Sequence, residues 1–324
     1  MAHLYQLRRR IAALAAIALQ ASGTIAGAIA APAESRDRRS NAPRTEQALR
    51  SAIAAGGDTA ELHGELGLLL YGTGRFHDAI PELGRAAQLD PAFPDYSLKL
   101  AAAILAERRY GVALEFLRAV GPRFENLAEY QYNVGLAHYG MRRFDGALAA
   151  FQRAIKIDPK MDLAHFFLAN CLVANANLAG AVPFYRNALQ LNPNKSGYYY
   201  ALGKTLGDMG PKHFREAVSL LRTALKLQPD DAASQFALGK LYERAGDAVS
   251  ARPLLESAVS RYPDEIAPRV VLAKVYSRLK QPEKAKAQFA AIRRLEASRR
   301  ETDSQLEPSG HSGSPATSPE PLPR

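Results

Sequence analysis

Residues able to do chemistry are few in this sequence, and their spacing does not bring them together. Gly203-Lys204-Thr205 has the ending of a loop whose amides and lysine cradle phosphates. The glycine that such a loop needs would fall on residue 198, which is Tyr198, and Gly197 misses by one. His63, His77, His138, His165 and His213 stand in no HExxH or Cys-His spacing, so no metal site and no cofactor are expected. No GxSxG or Cys-His arrangement marks a nucleophile, and no catalytic residue is assigned. Cys171 is the single cysteine, which rules out an internal disulfide and fits a small buried hydrophobe better than a working thiol. Asn194-Lys195-Ser196 is an acceptor sequon, of consequence only in a host that glycosylates. The sequence therefore points away from an enzyme and towards a surface that binds.

The elements that must build such a surface show in a longer regularity. A Leu-Gly pair or its near equivalent recurs at Leu66-Gly67, Leu100-Ala101, Val134-Gly135, Leu168-Ala169, Leu202-Gly203, Leu238-Gly239 and Leu272-Ala273, in steps of 34 residues except one of 36. A lone alanine follows each pair, at Ala79, Ala113, Ala147, Ala181, Ala217, Ala251 and Ala285. Four residues further on stands a large side chain, at Leu83, Leu117, Phe151, Tyr185, Leu221, Leu255 and Phe289. Within each unit the apolar residues are three and four apart, which places them on one face of a helix. The small columns let two antiparallel helices approach closely. Ala and Leu far outnumber β-branched residues, so little or no strand is expected.

Prolines punctuate the units. Pro91, Pro159, Pro193, Pro229 and Pro263 come where a residue without an amide hydrogen stops a second helix. Pro81, Pro183 and Pro253, two residues after the alanine, are predicted to occupy the first turn of each second helix, where no donor is needed. Two units deviate. Gly121-Pro122 arrives early and predicts a second helix that ends short after Val120, while Gly210 to Phe214 adds two residues to an inter-helix turn.

These columns carry a resemblance: the sequence is similar to arrays of the tetratricopeptide repeat (TPR) family. The resemblance spans 45–299 as a half repeat, Thr45 to Ala55, and seven repeats at about 60–93, 94–127, 128–161, 162–195, 196–231, 232–265 and 266–299. The family's tryptophan is missing; Tyr199 stands in its place in one copy, and His63, Gln131 and His165 in others. The resemblance implies an all-α fold, a right-handed superhelical solenoid of antiparallel helix pairs, whose concave face comes mainly from the first helix of each pair.

By the same resemblance, that face holds an extended or helical segment of another protein. One facing column runs Gly64, Leu98, Tyr132, Phe166, Tyr200, Phe236 and Val270. The next runs Leu68, Ala102, Leu136, Asn170, Lys204, Lys240 and Lys274; Arg244 and Arg278 form a third, with Tyr139 close by. The face is then aromatic in the middle and basic towards its C-terminal end, suited to a partner with apolar anchors and acidic groups. The plainer reading packs the aromatics against neighbouring helices and neutralises Lys240 with Glu243. The carboxylate clamp of some family members is not expected, because Leu98, Ala102, Leu163 and Phe167 stand where its other partners belong.

The two ends differ from the repeats. Residues 1–33, with Leu7 to Arg10 basic, Ile11 to Leu19 apolar and a small-x-small pattern at Ala28-Ile29-Ala30 or Ala31-Pro32-Ala33, read as a signal peptide. An uncleaved anchor to the inner membrane over 11–31 is the alternative. Either way the rest is exported, to the periplasm or beyond. Residues 34–44 read as a polar linker and 300–324, rich in Pro, Ser and Gly, as a disordered tail. The chain carries a net charge of +10, or +7 without Arg8, Arg9 and Arg10, which opens a second class of partner: an anionic envelope polymer or membrane surface. No nucleic-acid module is present in the sequence, and no nucleic-acid partner is expected.

Overall fold

The computed structural model describes residues 45–306; the expectations for the signal, linker and most of the tail lie outside them. The described residues form fifteen α-helices and one 3₁₀ turn, with no strand among them. α1 (Glu46–Ala54) is followed by seven pairs: α2 (Ala60–Gly72) with α3 (Phe76–Leu89), α4 (Pro94–Ala106) with α5 (Tyr110–Phe124), and α6 (Ala128–Gly140) with α7 (Phe144–Ile157). Then come α8 (Asp162–Ala174) with α9 (Leu178–Leu191), α10 (Ser196–Asp208) with α11 (Phe214–Leu227), α12 (Ala232–Arg244) with α13 (Ala248–Arg261), and α14 (Ile266–Arg278) with α15 (Pro282–Leu306). α15 runs on past residue 299, where the repeats were expected to end. The described residues divide into two compact units, one ending at Thr205 and the other beginning at Leu206.

The small and large columns prove to be two sides of one contact. A Cβ added to Gly67 would lie 2.7 Å from Leu83, one on Gly135 2.5 Å from the Phe151 ring, and one on Gly239 2.8 Å from Leu255. Each of these three glycines is thus the floor on which the large residue of its own second helix rests. The alanines Ala79, Ala113, Ala147, Ala181, Ala217 and Ala251 are fully buried beside them. Phe289, last in the large column, stays 46% exposed on α15.

Every first helix except α10 closes in a repeated turn. The amide of Arg75 donates to the Leu70 carbonyl at 2.9 Å, and the same six-residue closure recurs from Arg109 to Ile104, Arg143 to His138, Asn177 to Leu172, Asp247 to Tyr242 and Gln281 to Tyr276. The turn needs a left-handed residue, supplied by Gly74 (φ 76°) and Gly246 (φ 85°) but elsewhere by Arg108, Arg142, Ala176 and Lys280, with φ from 55° to 59°. Those four side chains cost about 1 kcal/mol each against glycine, and packing of the pair outweighs it. In the family's tryptophan column, polar groups tie the helix to the preceding turn. Gln131 donates to the Glu125 carbonyl at 2.7 Å, Gln235 to that of Pro229 at 3.0 Å, and the Nε2 of His165 lies 3.0 Å from that of Pro159.

Two sequence expectations are corrected. Pro81, Pro183 and Pro253 are not in the first turn: the helices begin at Phe76, Leu178 and Ala248, so each proline is the sixth residue and lies inside the helix. The carbonyls that lose their donors belong to His77, Ala179 and Val249, all exposed, so water can satisfy them. Nor does Gly121-Pro122 shorten α5, which has 15 residues and ends at Phe124. Gly121 instead admits the Tyr130 hydroxyl, 2.7 Å from where its Cβ would be, and Tyr130 donates to the Leu117 carbonyl at 3.1 Å. The two-residue insertion at Gly210 does lengthen its turn, which folds as the 3₁₀ segment Pro211–His213.

Candidate functional site

The first helices place the expected columns on faces that change along the chain. At the start the first column is closed: Gly64 lies under the Tyr96 ring, 2.2 Å from where a Cβ would be, and Leu98 is buried. From α6 onward Tyr132, Phe166, Tyr200, Phe236 and Val270 are half-buried, as are Leu136 and Asn170 of the second column.

In the first unit the aromatic members form one cluster. Phe167 is its centre: its ring lies 5.8 Å from Phe151 in a stack, 6.1 Å from Tyr132, 5.4 Å from Tyr139 and 5.4 Å from Phe166. Phe166 continues to Tyr185 at 5.8 Å and Tyr198 at 4.8 Å. Polar tips are held inside it, with Tyr185 donating to Asn170 Oδ1 at 2.6 Å and Tyr198 to Asp162 Oδ2 at 3.0 Å. Phe167, Tyr185 and Tyr198 were not among the expected site residues. Phe167 gave its only signal as the neighbour of Phe166, and Tyr185 as a core position.

Burial holds the Tyr132, Tyr185 and Tyr198 hydroxyls well above the usual phenol value of 10.0. These groups are raised acids in the folded state, so the stability they contribute is complete below pH 10 and is lost as pH rises through their folded values. The urea midpoint is expected to fall between pH 8 and about pH 11 by more than for a chain with Tyr185→Phe. Burial likewise pushes the Cys171 thiol up to about 12, so it stays protonated at neutral pH.

In the second unit three of the expected basic residues, Lys240, Arg244 and Arg278, have carboxylate partners. Lys240 Nζ lies 4.0 Å and Arg244 Nη1 3.8 Å from Asp208 Oδ1, and Arg244 also donates to the Gly207 carbonyl at 3.2 Å. Arg278 pairs with Glu243 Oε1 at 3.2 Å and donates to the Glu243 carbonyl. Lys240 is therefore met by Asp208 and not, as the plainer reading had it, by Glu243, which is buried and taken by Arg278. Arg244 and Arg278 each bind the carbonyl end of the preceding first helix, where a cation also favours the helix dipole. Lys204 and Lys274 are exposed. Among the described residues, no group of three or more His, Cys, Asp or Glu could hold a metal ion, and no helix is long and apolar enough to cross a membrane.

Stacked helix pairs with small-residue floors, and first-helix faces carrying the variable side chains, define a repeat protein built to bind. The tetratricopeptide repeat profile matches residues 31–92, 65–124, 132–196 and 200–266, and a second profile of that name matches 243–301: the chain belongs to the tetratricopeptide repeat family. Among curated proteins it is similar to the human protein O-mannosyl-transferase TMTC1, 27% identical over 148 residues. That match covers 44% of this chain and 17% of the relative, so the chain spans about a sixth of that protein's length. Among solved structures it resembles PilF of Pseudomonas aeruginosa, with a TM-score of 0.59 and 19% identity over 66% of this chain and 97% of the other. It also resembles the Cut9-Hcn1 hetero-tetramer of the APC/C, with a TM-score of 0.62 and 16% identity over 70% of this chain and 45% of the other. These two likenesses are of fold.

Proposed function

We propose that this chain is a non-catalytic scaffold that binds a segment of another protein across the first-helix faces of its first unit from α6 onward, in an exported, envelope setting. The half-buried aromatic cluster around Phe167 supports this reading most directly. Tyr132, Tyr139, Phe166 and Tyr200 are neither sealed in the core nor loose in water, and the backs of the first three are fixed by ring contacts. A rigid, part-exposed aromatic surface offers apolar contact at low entropic cost, which is how binding hot spots work. Lys240, Arg244 and Arg278 have carboxylates already beside them. That pairing counts against the wider basic face as the seat of an anionic envelope polymer.

The test places a photo-crosslinking residue at Tyr139 or Tyr200, and as a control at Val249, which is 68% exposed on a second helix. Crosslinks to one partner segment are expected from the first two positions, and Phe166→Ala is expected to diminish them. Equal yields from all three positions would remove the basis for the assignment. Export is tested separately, by the size and compartment of the mature chain.

A further inference from the structure

One second helix carries a charged depression that the first-helix faces do not explain. α11 buries Ala217, Leu221 and Ala224, and its outward face carries Arg215, Arg222 and Lys226. There Arg215, Val218, Ser219, Arg222, Thr223 and Lys226 line a cavity of about 300 Å³. Their spacing of three and four residues keeps all six on one stripe, so three cations fall along roughly 16 Å of helix. The volume is at the small end of clefts that hold ligands.

Two observations set this stripe apart from an ordinary solvated helix face. The carboxylates of the following elements are engaged elsewhere: Asp230 with Arg261 at 2.7 Å, Asp231 with the Ser234 amide at 2.9 Å, Asp247 with the Ser250 amide at 3.0 Å, and Glu256 with Tyr276 at 2.8 Å. Among the described residues, none forms an ion pair with Arg215, Arg222 or Lys226. Arg222 is also held in place. Its Nη2 donates to the hydroxyl of buried Tyr242 at 2.6 Å, and its guanidinium lies 5.9 Å from the centre of that ring. A guanidinium fixed on one side keeps its other donors aimed and loses little entropy on binding.

We propose that this depression binds a phosphate-bearing ligand. The Arg215 and Arg222 forks match phosphate oxygens, Lys226 adds charge, and the Ser219 hydroxyl is free to donate. The Thr223 hydroxyl is committed to the Ser219 carbonyl at 3.0 Å, so Thr223 and Val218 supply the apolar wall. The same chemistry serves a phosphorylated small molecule or a phospholipid headgroup.

The full chain would be titrated with inorganic pyrophosphate by calorimetry, and floated with vesicles of phosphatidylglycerol in phosphatidylcholine. The expected result is binding in at least one arm that weakens by about tenfold or more in R215Q/R222Q/K226Q, while K204Q/K240Q/K274Q binds as the parent does. Pyrophosphate binding assigns a free phosphate; vesicle binding alone assigns a headgroup. If the triple variant loses helicity by circular dichroism, the single changes Arg215→Gln and Lys226→Gln, which break no bond in the structure, replace it. Failure of both probes to bind, or affinity unchanged within about twofold in the variants, overturns the site.

Discussion

Replacing Phe151 by alanine is expected to lower stability by about 3–5 kcal/mol, the cost of emptying a fully buried aromatic position. The ring is 0% exposed and lies on Gly135, so no neighbour of any size is under it to fill the space. It also stacks on Phe167 and meets Tyr132 at 5.9 Å, so the vacancy opens directly behind the part-exposed aromatic surface. Stability and binding should therefore fall together, with the loss of crosslinks from Tyr200 exceeding what the unfolded fraction accounts for. Phe289→Ala is the matched control. Phe289 occupies the same repeat column but is 46% exposed, and its loss should cost less than about 1 kcal/mol. Urea unfolding followed by circular dichroism measures both, and similar costs at the two positions would refute the view that the large column is buried pair by pair.

The helix pairs were legible because their signal is local and repeated. A small residue must face a large one sixteen positions later, and six copies of Leu66-Gly67 with Leu83 or its equivalent state that rule, with a seventh stretched to eighteen by the insertion at Gly210. What periodicity gives is a face, not a starting point, which is why Pro81, Pro183 and Pro253 were set in the first turn when they are one turn deeper. Gly121 misled for a related reason. Read alone with Pro122 it is a helix stop, but the Tyr130 hydroxyl that it makes room for comes from the next helix.

The candidate site was legible as columns and not as contacts. Tyr132, Phe166 and Tyr200 share a repeat position, so their placement on one face follows from the period. Whether such a face is open depends on residues in other columns: Tyr96 closes Gly64, and Phe167, adjacent in sequence to Phe166, ties three helices together. The basic end shows the same limit. The nearest acid in sequence to Lys240 is Glu243, yet its partner Asp208 is 32 residues back, on the preceding first helix, and only the stacking of successive pairs brings it there.

Ala147→Leu is expected to cost about 1–3 kcal/mol, because the added carbons enter a fully buried helix interface. Ala147 is 0% exposed in the same core as Phe151, Leu168 and Cys171, and its counterparts in five other repeats are equally buried. Size is the point at issue, and glycines give the sharper form of the test. Gly84 is inside α3, and a Cβ there meets nothing within 4 Å, so Gly84→Ala should gain roughly 0.5–1 kcal/mol from reduced backbone freedom in the unfolded chain. At Gly135 the same added methyl falls 2.5 Å from a ring that cannot retreat, and Gly135→Ala should destabilise despite the identical gain in helix propensity. One substitution with opposite signs at two helical positions isolates close approach from propensity. If both changes stabilise, the small column is not what lets the helices of a pair nest.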